Sequence, residues 1–252
     1  MTPDLTAAAT RTPVHELGGA FAEDPKTLRR ARQLGLTGWS FYVAGRGGAL
    51  GEVRPDTVAA ALGFIAPDAV RDGWETARRI TPPSQVAEHH LAECCRWGRE
   101  KLDTFHGVDR LVELAERVVL AADPAGLALF AAWRTMPMPE DGPGARAAVV
   151  AKLLREYRSG AHLLAIRAGG LTPLEALLAS EEGEAGAVAY GWQPPFPPFE
   201  PLLRRRIRAD LITDRIVGEA YRVLDVAERV ELVRLFEEAV DHRRVPAAAH
   251  PA

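Results

Sequence analysis

The run ARAAVVAKLLREYRSGAHLLAIRAGGLTPLE, from Ala145 to Glu175, decides the fold. Ala145–Ala168 has the pattern of the longest helix in the chain, with Gly160 inside it. Thr172 then stands at the N-cap position of a following helix, with proline next and glutamate three residues on, which is a capping box. The run therefore predicts a long central helix and a second helix that begins after a short turn.

Helix signals also dominate the sequence on both sides of this run. Apolar residues recur at intervals of three and four through Val108–Ala121, the pattern of an amphipathic helix. Asp24 is followed by proline, which is typical of a helix start, and Thr37 is a candidate N-cap for the next helix. No segment has a confident strand pattern, so we expect an all-α fold. The last predicted helices span 202–213, 216–224 and Val226–Val240.

Two segments rich in proline and glycine divide the chain. Met136–Gly144 predicts a loop, and Gln193–Pro201 holds five prolines in nine residues, which cannot form the interior of a helix. The second segment predicts a stiff connector between a compact multi-helix domain and a C-terminal helical module. The expected division is a helical domain with a candidate ligand pocket at 1–192, the connector at 193–201, and the C-terminal module with its tail at 202–252.

The composition excludes several classes of protein. With 252 residues, of which 47% are hydrophobic and 26% charged, the chain is neither intrinsically disordered nor too small for a core. The net charge of −3 gives no overall basic field for nucleic acid. Cys94 and Cys95 are adjacent and are not expected to pair. No apolar stretch reaches the ~18 residues of a membrane-spanning helix and no leader is recognisable, so we expect a cytoplasmic protein.

The glycine-rich run Gly45–Gly51 offers the first candidate site. It looks like a dinucleotide-binding loop, but such a loop needs a preceding strand and a βαβ unit, and neither is predicted. A helix end followed by a turn is the favoured interpretation. Arg46 is a candidate in its own right, because a guanidinium framed by glycines can approach a carboxylate or phosphate closely. The alternative is that Arg46 satisfies carbonyl groups at the helix end.

The central helix carries the second candidate site. Arg158 and His162 are four residues apart and share a helix face, whereas Glu156 lies off that face. Histidine titrates near neutral pH and is the usual general acid or base. A solvated charged face, or a core histidine with one hydrogen bond, is the alternative interpretation.

Two further clusters carry weaker signals. Glu88–Cys94 contains histidine, glutamate and cysteine, but their spacing puts them on two helix faces, so no metal site is predicted. Leu202–Arg208 is the one basic run, and Arg204 and Arg208 share a face. That face suits either phosphate groups or a solvated helix surface.

Three blocks of the sequence belong together: Tyr42–Gly51, Phe64–Trp74, and Leu153–His162 with Gly170–Glu175 after it. Over roughly residues 30–192 they resemble an actinobacterial family of uncharacterised helix-rich proteins with a helix-turn-helix-like C-terminal region. The family pattern has proline where Ala49 stands and histidine where Tyr157 stands. The resemblance implies that the chain shares five positions with the family: Gly45, Arg46, Glu156, Arg158 and His162.

We expect from these observations a small-molecule enzyme of specialised metabolism that uses acid/base chemistry, of lyase, cyclase or isomerase type, on an anionic or polar substrate. His162 would be the general acid or base, Glu156 would orient it, and Arg46 or Arg158 would bind an anionic group across one hollow. The other expected site residues are Tyr42 and Tyr157 as hydroxyl donors, Tyr157 among the catalytic residues, and Trp39 and Trp192 as apolar walls.

Two other functions stay open at this point. One is a ligand-responsive helix-turn-helix-like DNA-binding regulator that uses Arg204–Arg208. The other is an interaction protein that dimerises through Val226–Val240. No cofactor is predicted, although a haem or a single metal ion on His162 is not excluded. The expected partner is a small-molecule substrate, a homodimer stays open, and neither DNA nor a membrane is an expected partner.

Overall fold

The computed structural model describes residues 1–140 and 142–244, and within them the chain forms fourteen α-helices and no strand. This confirms the expected all-α fold. None of these helices combines the length and hydropathy that a bilayer-crossing segment needs. The helices are α1 (Pro3–Ala9), α2 (Arg11–Gly19), α3 (Pro25–Gln33), α4 (Gly38–Gly47), α5 (Pro55–Leu62), α6 (Pro67–Arg78), α7 (Pro83–Leu102), α8 (Val108–Ala121), α9 (Ala128–Arg134), α10 (Pro143–Ala168), α11 (Pro173–Leu178), α12 (Gly183–Ala189), α13 (Leu203–Tyr221) and α14 (Val226–Arg244).

Local capping chemistry sets many of the helix starts. Thr37 is the N-cap of α4, where its hydroxyl oxygen accepts a hydrogen bond from the backbone N–H of Ser40 at 3.0 Å. At α11 both halves of the capping box form: Thr172 accepts from the Glu175 N–H, and the Glu175 carboxylate accepts from the Thr172 N–H. Proline occupies the first turn of α3, α5, α6, α7 and α10, where its missing N–H leaves no helical bond unmade.

The central helix α10 is buried over most of its length and packs against α2, α7, α8 and α13. It crosses α7 at two glycines: a Cβ on Gly98 would lie 2.3 Å from the carbonyl oxygen of Gly144. α10 has no side-chain cap of its own. Instead Asp103, at the end of α7, accepts a hydrogen bond from the backbone N–H of Gly144 at 2.8 Å. The crossing with α7 therefore also fixes where the central helix begins.

Two features differ from the helices expected from the sequence. α1 and α2 occupy the N-terminal segment, for which no helix was expected, and the missed signal is Thr2 before proline: its hydroxyl accepts from the Leu5 N–H at 3.3 Å. α13 is a single helix, whereas the pattern predicted a break between residues 213 and 216. No glycine or proline stands there to interrupt the helical hydrogen bonds.

The C-terminal helices share one hydrophobic core with the rest of the protein. Val217 and Tyr221 of α13 and Phe236 of α14 are buried in the same cluster as Leu17 of α2 and Trp74 of α6. The predicted connector at 193–201 therefore separates α12 from α13 along the chain, but the core continues across this division. The helices on the two sides of the connector are separated along the sequence, but their side chains pack into one hydrophobic core.

The face of α14 that was considered for dimerisation is used within the chain. Leu232 and Phe236 are buried in the core, while Val226 and Val230 at the start of the helix are exposed. Most of the apolar area of this face is therefore already covered by neighbouring helices. A homodimer stays a prediction.

Candidate functional site

A cavity of about 590 Å³ opens along one side of α10. Four residues of this helix line it: Arg155, Arg158, Ser159 and His162. Their spacing of three, four and seven residues puts them on one stripe of the helix. Two helical turns separate Arg155 from His162, which corresponds to about 10 Å along the axis.

The other walls of the cavity come from several helices. Arg46 of α4 also lines it, so Arg46 and His162 border the same hollow. α13 contributes both polar groups, Arg206 and Asp210, and apolar ones. A smaller cavity of about 260 Å³ shares Arg46 with the large one. The larger apolar residues of the large cavity are Val14, Leu62, Phe64, Ile65, Leu177, Leu203 and Ile207.

His162 is held by a threonine and an aromatic ring. Its Nδ1 lies 2.9 Å from the hydroxyl of Thr213, and its ring stacks on Phe64 at 5.5 Å between centroids. Its Nε2 is buried without a hydrogen-bond partner among the described residues. Burial, with smaller contributions from the charges of Arg206 and Arg158, lowers the pKa of His162 to about 3. The imidazole is therefore neutral at physiological pH.

Arg46 binds a carboxylate, and that carboxylate belongs to the protein itself. Its Nε and Nη2 donate to the two carboxylate oxygens of Glu156 at 3.0 and 2.7 Å, and its Nη1 donates to the hydroxyl of Tyr42 at 2.9 Å. Arg46 and Glu156 are both buried. Burial by itself raises the pKa of Glu156, but the charges of Arg46 and Lys152 outweigh it and hold the pKa well below its usual range.

Lys152 extends this buried network by one helical turn. Its Nζ lies 3.4 Å from Oε1 of Glu156 and 3.5 Å from the centre of the Trp133 ring, a cation–π contact. Burial lowers the pKa of Lys152 to about 8 even though Glu156 opposes that shift. Trp133 donates in turn from Nε1 to the carbonyl oxygen of Arg46 at 2.9 Å. One polar network therefore ties α4, α9 and α10 together.

Arg155 differs from the other arginines that line the cavity. It forms no ion pair with any residue of 1–140 or 142–244, and its Nε is buried without a hydrogen-bond partner there. Burial by itself raises the pKa of Tyr42, but Arg46 and Arg155 together lower it to about 8, so the potential at this end of the cavity is positive. The other four arginines have carboxylate partners: Arg46 with Glu156, Arg11 and Arg158 with Asp214, and Arg206 with Asp210.

Three residues expected at the site lie outside the lining of the cavity. Trp39 and Trp192 are half-buried, and Tyr157 is buried. All three use their polar group within the fold, because each donates to a backbone carbonyl: Trp39 to Ala69, Trp192 to Phe64, and Tyr157 to Ile216. Of the residues named from the sequence, Arg46, Arg158 and His162 line the large cavity, while Glu156 and Tyr42 attach to it through Arg46.

Sequence reasoning missed several residues of the cavity. Arg155 was within reach, since it stands seven residues before His162 and so on the same helix face. Phe64, which stacks on that histidine, and Tyr190 and His15, which lie near Arg155, come from other helices or connections. These three residues reach the cavity only through the tertiary packing, and no local sequence pattern indicates that they lie there.

The glycines of Gly45–Gly51 serve close packing. α4 runs through Gly47, and a Cβ there would lie 2.5 Å from a methyl group of Val58. A Cβ on Gly48 would lie 2.0 Å from the carbonyl oxygen of Pro83. The run is a helix end followed by a turn, with Gly51 at a φ of 79°.

The histidine–cysteine cluster on α7 divides between two faces. His90 and Cys94 are fully buried in the core, whereas His89 approaches Arg30 of α3 at 3.5 Å. In the part of the chain that the structure describes, no three His, Cys, Asp or Glu side chains are grouped to hold a metal ion.

The solvent side of α13 carries a row of arginines. Arg204, Arg208 and Arg215 follow each other at intervals of four and seven residues, so they lie on one face, and Arg205 stands beside them. All four are exposed, and none forms an ion pair or side-chain hydrogen bond with another described residue. The opposite side of the same helix lines the cavity with Arg206 and Asp210.

Three helix pairs have the connection of a helix-turn-helix motif: α3 with α4, α5 with α6, and α10 with α11. Each pair is joined by four residues that include a glycine at positive φ, Gly35 at 77°, Gly63 at 64° and Gly170 at 73°. The second helix of each pair packs into the core, with Phe41 buried in α4 and Trp74 in α6. None of these three second helices offers a free basic face, in contrast to α13.

These features describe an all-helical protein with short connections between most of its helices. Residues 6–195 match a helix-turn-helix family, and the chain belongs to that family. No curated protein and no solved structure matches the chain. The match begins before the region expected from the resemblance and ends before α13.

The family match contradicts the expected small-molecule enzyme and favours the DNA-binding regulator that was the alternative. The structure also separates two residues that were expected to act together. Glu156, which was expected to orient His162, is engaged by Arg46 and Lys152, and His162 is engaged by Thr213.

Proposed function

We propose that the protein is a ligand-responsive DNA-binding regulator in which α13 contacts the DNA and the cavity behind it holds the effector. One observation carries the proposal: α13 displays four unpaired arginines to solvent and lines a 590 Å³ cavity with its opposite side. Membership of a helix-turn-helix family supports the choice of DNA as the partner, although DNA was not expected from the sequence.

The row of arginines has the dimensions and chemistry of a phosphate-binding face. Arg204 and Arg215 are eleven residues apart, which corresponds to about 16 Å of helix. Guanidinium groups without a carboxylate partner are free to neutralise phosphates and release counterions. Exposed Leu211 lies among them, so the face offers apolar contact as well as charge.

The effector acts through the helix itself in this proposal. Arg206 and Asp210 form an ion pair on the cavity side of α13, and Arg206 also donates to the carbonyl of Ala176 in α11. A molecule that enters the cavity competes with these contacts and changes the position of α13 relative to α11. The proposal needs no cofactor, and it includes the cytoplasmic location expected from the sequence, since a regulator works where the DNA is. It also takes the matching family to be the actinobacterial family that the sequence resembles.

The test is fluorescence anisotropy of a fluorescein-labelled DNA duplex of mixed sequence. We expect binding at low salt, with the logarithm of the binding constant falling by about 3 to 4 for each tenfold rise in salt if all four arginines contact phosphates. Arg204→Glu/Arg208→Glu should abolish binding, while the matched control Arg29→Glu/Arg32→Glu, on the exposed side of α3, should keep it.

Two outcomes would overturn the proposal in different ways. Loss of binding in the α3 variant, with the α13 variant unaffected, would move the interface to the first helix-turn-helix pair. No binding of any duplex at low salt, including duplexes from a random-sequence selection, would end the assignment as a DNA-binding protein.

A further inference from the structure

The two ends of the α10 stripe offer different chemistry to a ligand. Arg155 at one end is a cation without a carboxylate partner, and His162 at the other is a neutral ring with a buried nitrogen that lacks a partner among the described residues. Between them Arg158 is engaged in an ion pair with Asp214, and Ser159 offers a neutral hydroxyl. On this stripe the cation without a carboxylate partner and the unpartnered ring nitrogen therefore lie at opposite ends.

The proton on His162 can be placed from its neighbours. Thr213 has one hydroxyl proton, and its oxygen lies 2.8 Å from the carbonyl oxygen of Ala209, which can only accept. The hydroxyl is thus left to accept from Nδ1 of His162 at 2.9 Å. The carboxylate of Asp210, 3.8 Å from the same nitrogen, also favours a proton there. Nε2 consequently carries the lone pair and can only accept a hydrogen bond.

Arg155 has a positive charge that can bind an anionic group of a ligand. The carboxylate of Glu156 is held by Arg46, and the exposed Glu181 and Glu182, which also line the cavity, form no ion pair with Arg155. Its planar guanidinium can bind a carboxylate with two parallel hydrogen bonds, which is the interaction that Arg46 makes with Glu156 inside the protein. Neutral polar groups also lie near Arg155: Tyr42, with which it shares a hydrogen bond, and His15, whose pKa is lowered by burial and by Arg155 itself.

We propose that the cavity binds an amphipathic weak acid, whose carboxylate pairs with Arg155 and whose hydroxyl or N–H group, about two helical turns away, donates to Nε2 of His162. The apolar walls at Phe64, Leu177 and Ile207 cover the part of the molecule between these two groups. This inference rests on the proposed function, because it takes the cavity of the regulator as the effector site.

The test is calorimetric titration of the full chain, without DNA, with three related probes. 3-(4-Hydroxyphenyl)propionate has both groups, its methyl ester lacks the anion, and 3-(4-methoxyphenyl)propionate lacks the donor. We expect the first to bind at least tenfold more tightly than either of the others. Equal binding of the acid and its ester, or no binding of the acid, would overturn the inference.

Two variants assign the contacts to residues. Arg155→Met should bind the acid and its ester equally, and His162→Leu should bind the hydroxyl and methoxy compounds equally, while Arg29→Met on the distant face of α3 should behave like the original chain. Retention of either preference in its variant would also overturn the inference. Because DNA is absent from this titration, it tests the ligand site separately from DNA binding. A chain that binds the acid but no duplex would support this inference and contradict the proposed regulator. A chain that binds a duplex but not the acid would support the regulator and contradict this inference.

Discussion

The imidazole of His90 lies directly against Gly45 where α7 packs on α4. A Cβ on Gly45 would lie 2.5 Å from Cδ2 and 2.9 Å from Cβ of His90. The ring is fully buried beside Phe21, 4.6 Å between centroids, and neither of its nitrogens has a hydrogen-bond partner among the described residues. Burial lowers the pKa of His90 well below its usual range, so the ring packs as a neutral group. The glycine is what lets the two helices come this close.

Replacement of Gly45 by alanine should therefore destabilise the protein through overpacking, by about 1–3 kcal/mol in urea unfolding. The clash depends on the histidine ring, so the cost of Gly45→Ala should shrink in a His90→Ala background. Additive effects of the two substitutions would show that the contact is not the reason for the glycine.

Removal of the guanidinium from Arg46 should cost about 3–5 kcal/mol of unfolding free energy, because Arg46→Met leaves the carboxylate of Glu156 buried with Lys152 as its remaining ion-pair partner. Arg54→Met is the matched control: that side chain is 86% exposed and 3.7 Å from its carboxylate partner. We expect the control to change stability by less than about 0.5 kcal/mol. Similar losses in the two variants would contradict a special role for the buried pair.

Acid should destabilise the protein in part through His162. Its pKa falls from the ordinary value of 6.5 to about 3 on folding, so below pH 6.5 the unfolded chain takes up a proton that the folded one does not. Stability is lost as the pH falls from 6.5 towards 3, by about 2 kcal/mol between pH 7 and pH 5 from this group. Urea unfolding at the two pH values should show a smaller loss of unfolding free energy in His162→Gln than in the original chain. His15 and His90 are present in both chains, so their contributions to the pH dependence are the same in both. Equal losses would mean that His162 ionises normally.

Asp103 should stabilise the start of the central helix from outside it. Asp103→Ala removes the acceptor for the Gly144 N–H and should cost about 1 kcal/mol, as the loss of an N-cap does. Asp103→Asn keeps an acceptor oxygen and should retain most of the stability. Hydrogen exchange at the Gly144 amide reports the same contact directly, and exchange unchanged in the alanine variant would exclude it.

Much of the fold follows from local chemistry that the sequence displays. The starts of α4 and α11 depend on side chains within three residues, Thr37 with Ser40 and Thr172 with Glu175, so they could be read directly. Thr2, which caps α1, carries the same kind of signal. The ends of helices, and whether a helix continues, are harder to predict from the sequence. α13, for example, continues through a predicted break at which no glycine or proline interrupts the helix.

The site was only partly accessible from the sequence because its partners are distant in the chain. Arg46 was predicted to bind an anion, and its actual partner Glu156 is 110 residues away, which no spacing rule reveals. Arg158 and His162 could be placed together since both lie on one helix face. Arg155 is the arginine of the cavity without a carboxylate partner among the described residues, and this can be recognised only when the partners of the other arginines are known.

α13 presents the cavity and the arginine row with different side chains on one backbone. Substitutions at Arg206 or Ile207 change what the cavity accepts without touching Arg204 or Arg208, and the reverse also holds. If the proposed function holds, effector preference and DNA preference can therefore change separately among descendants of this protein, while the helix that joins the two surfaces stays intact.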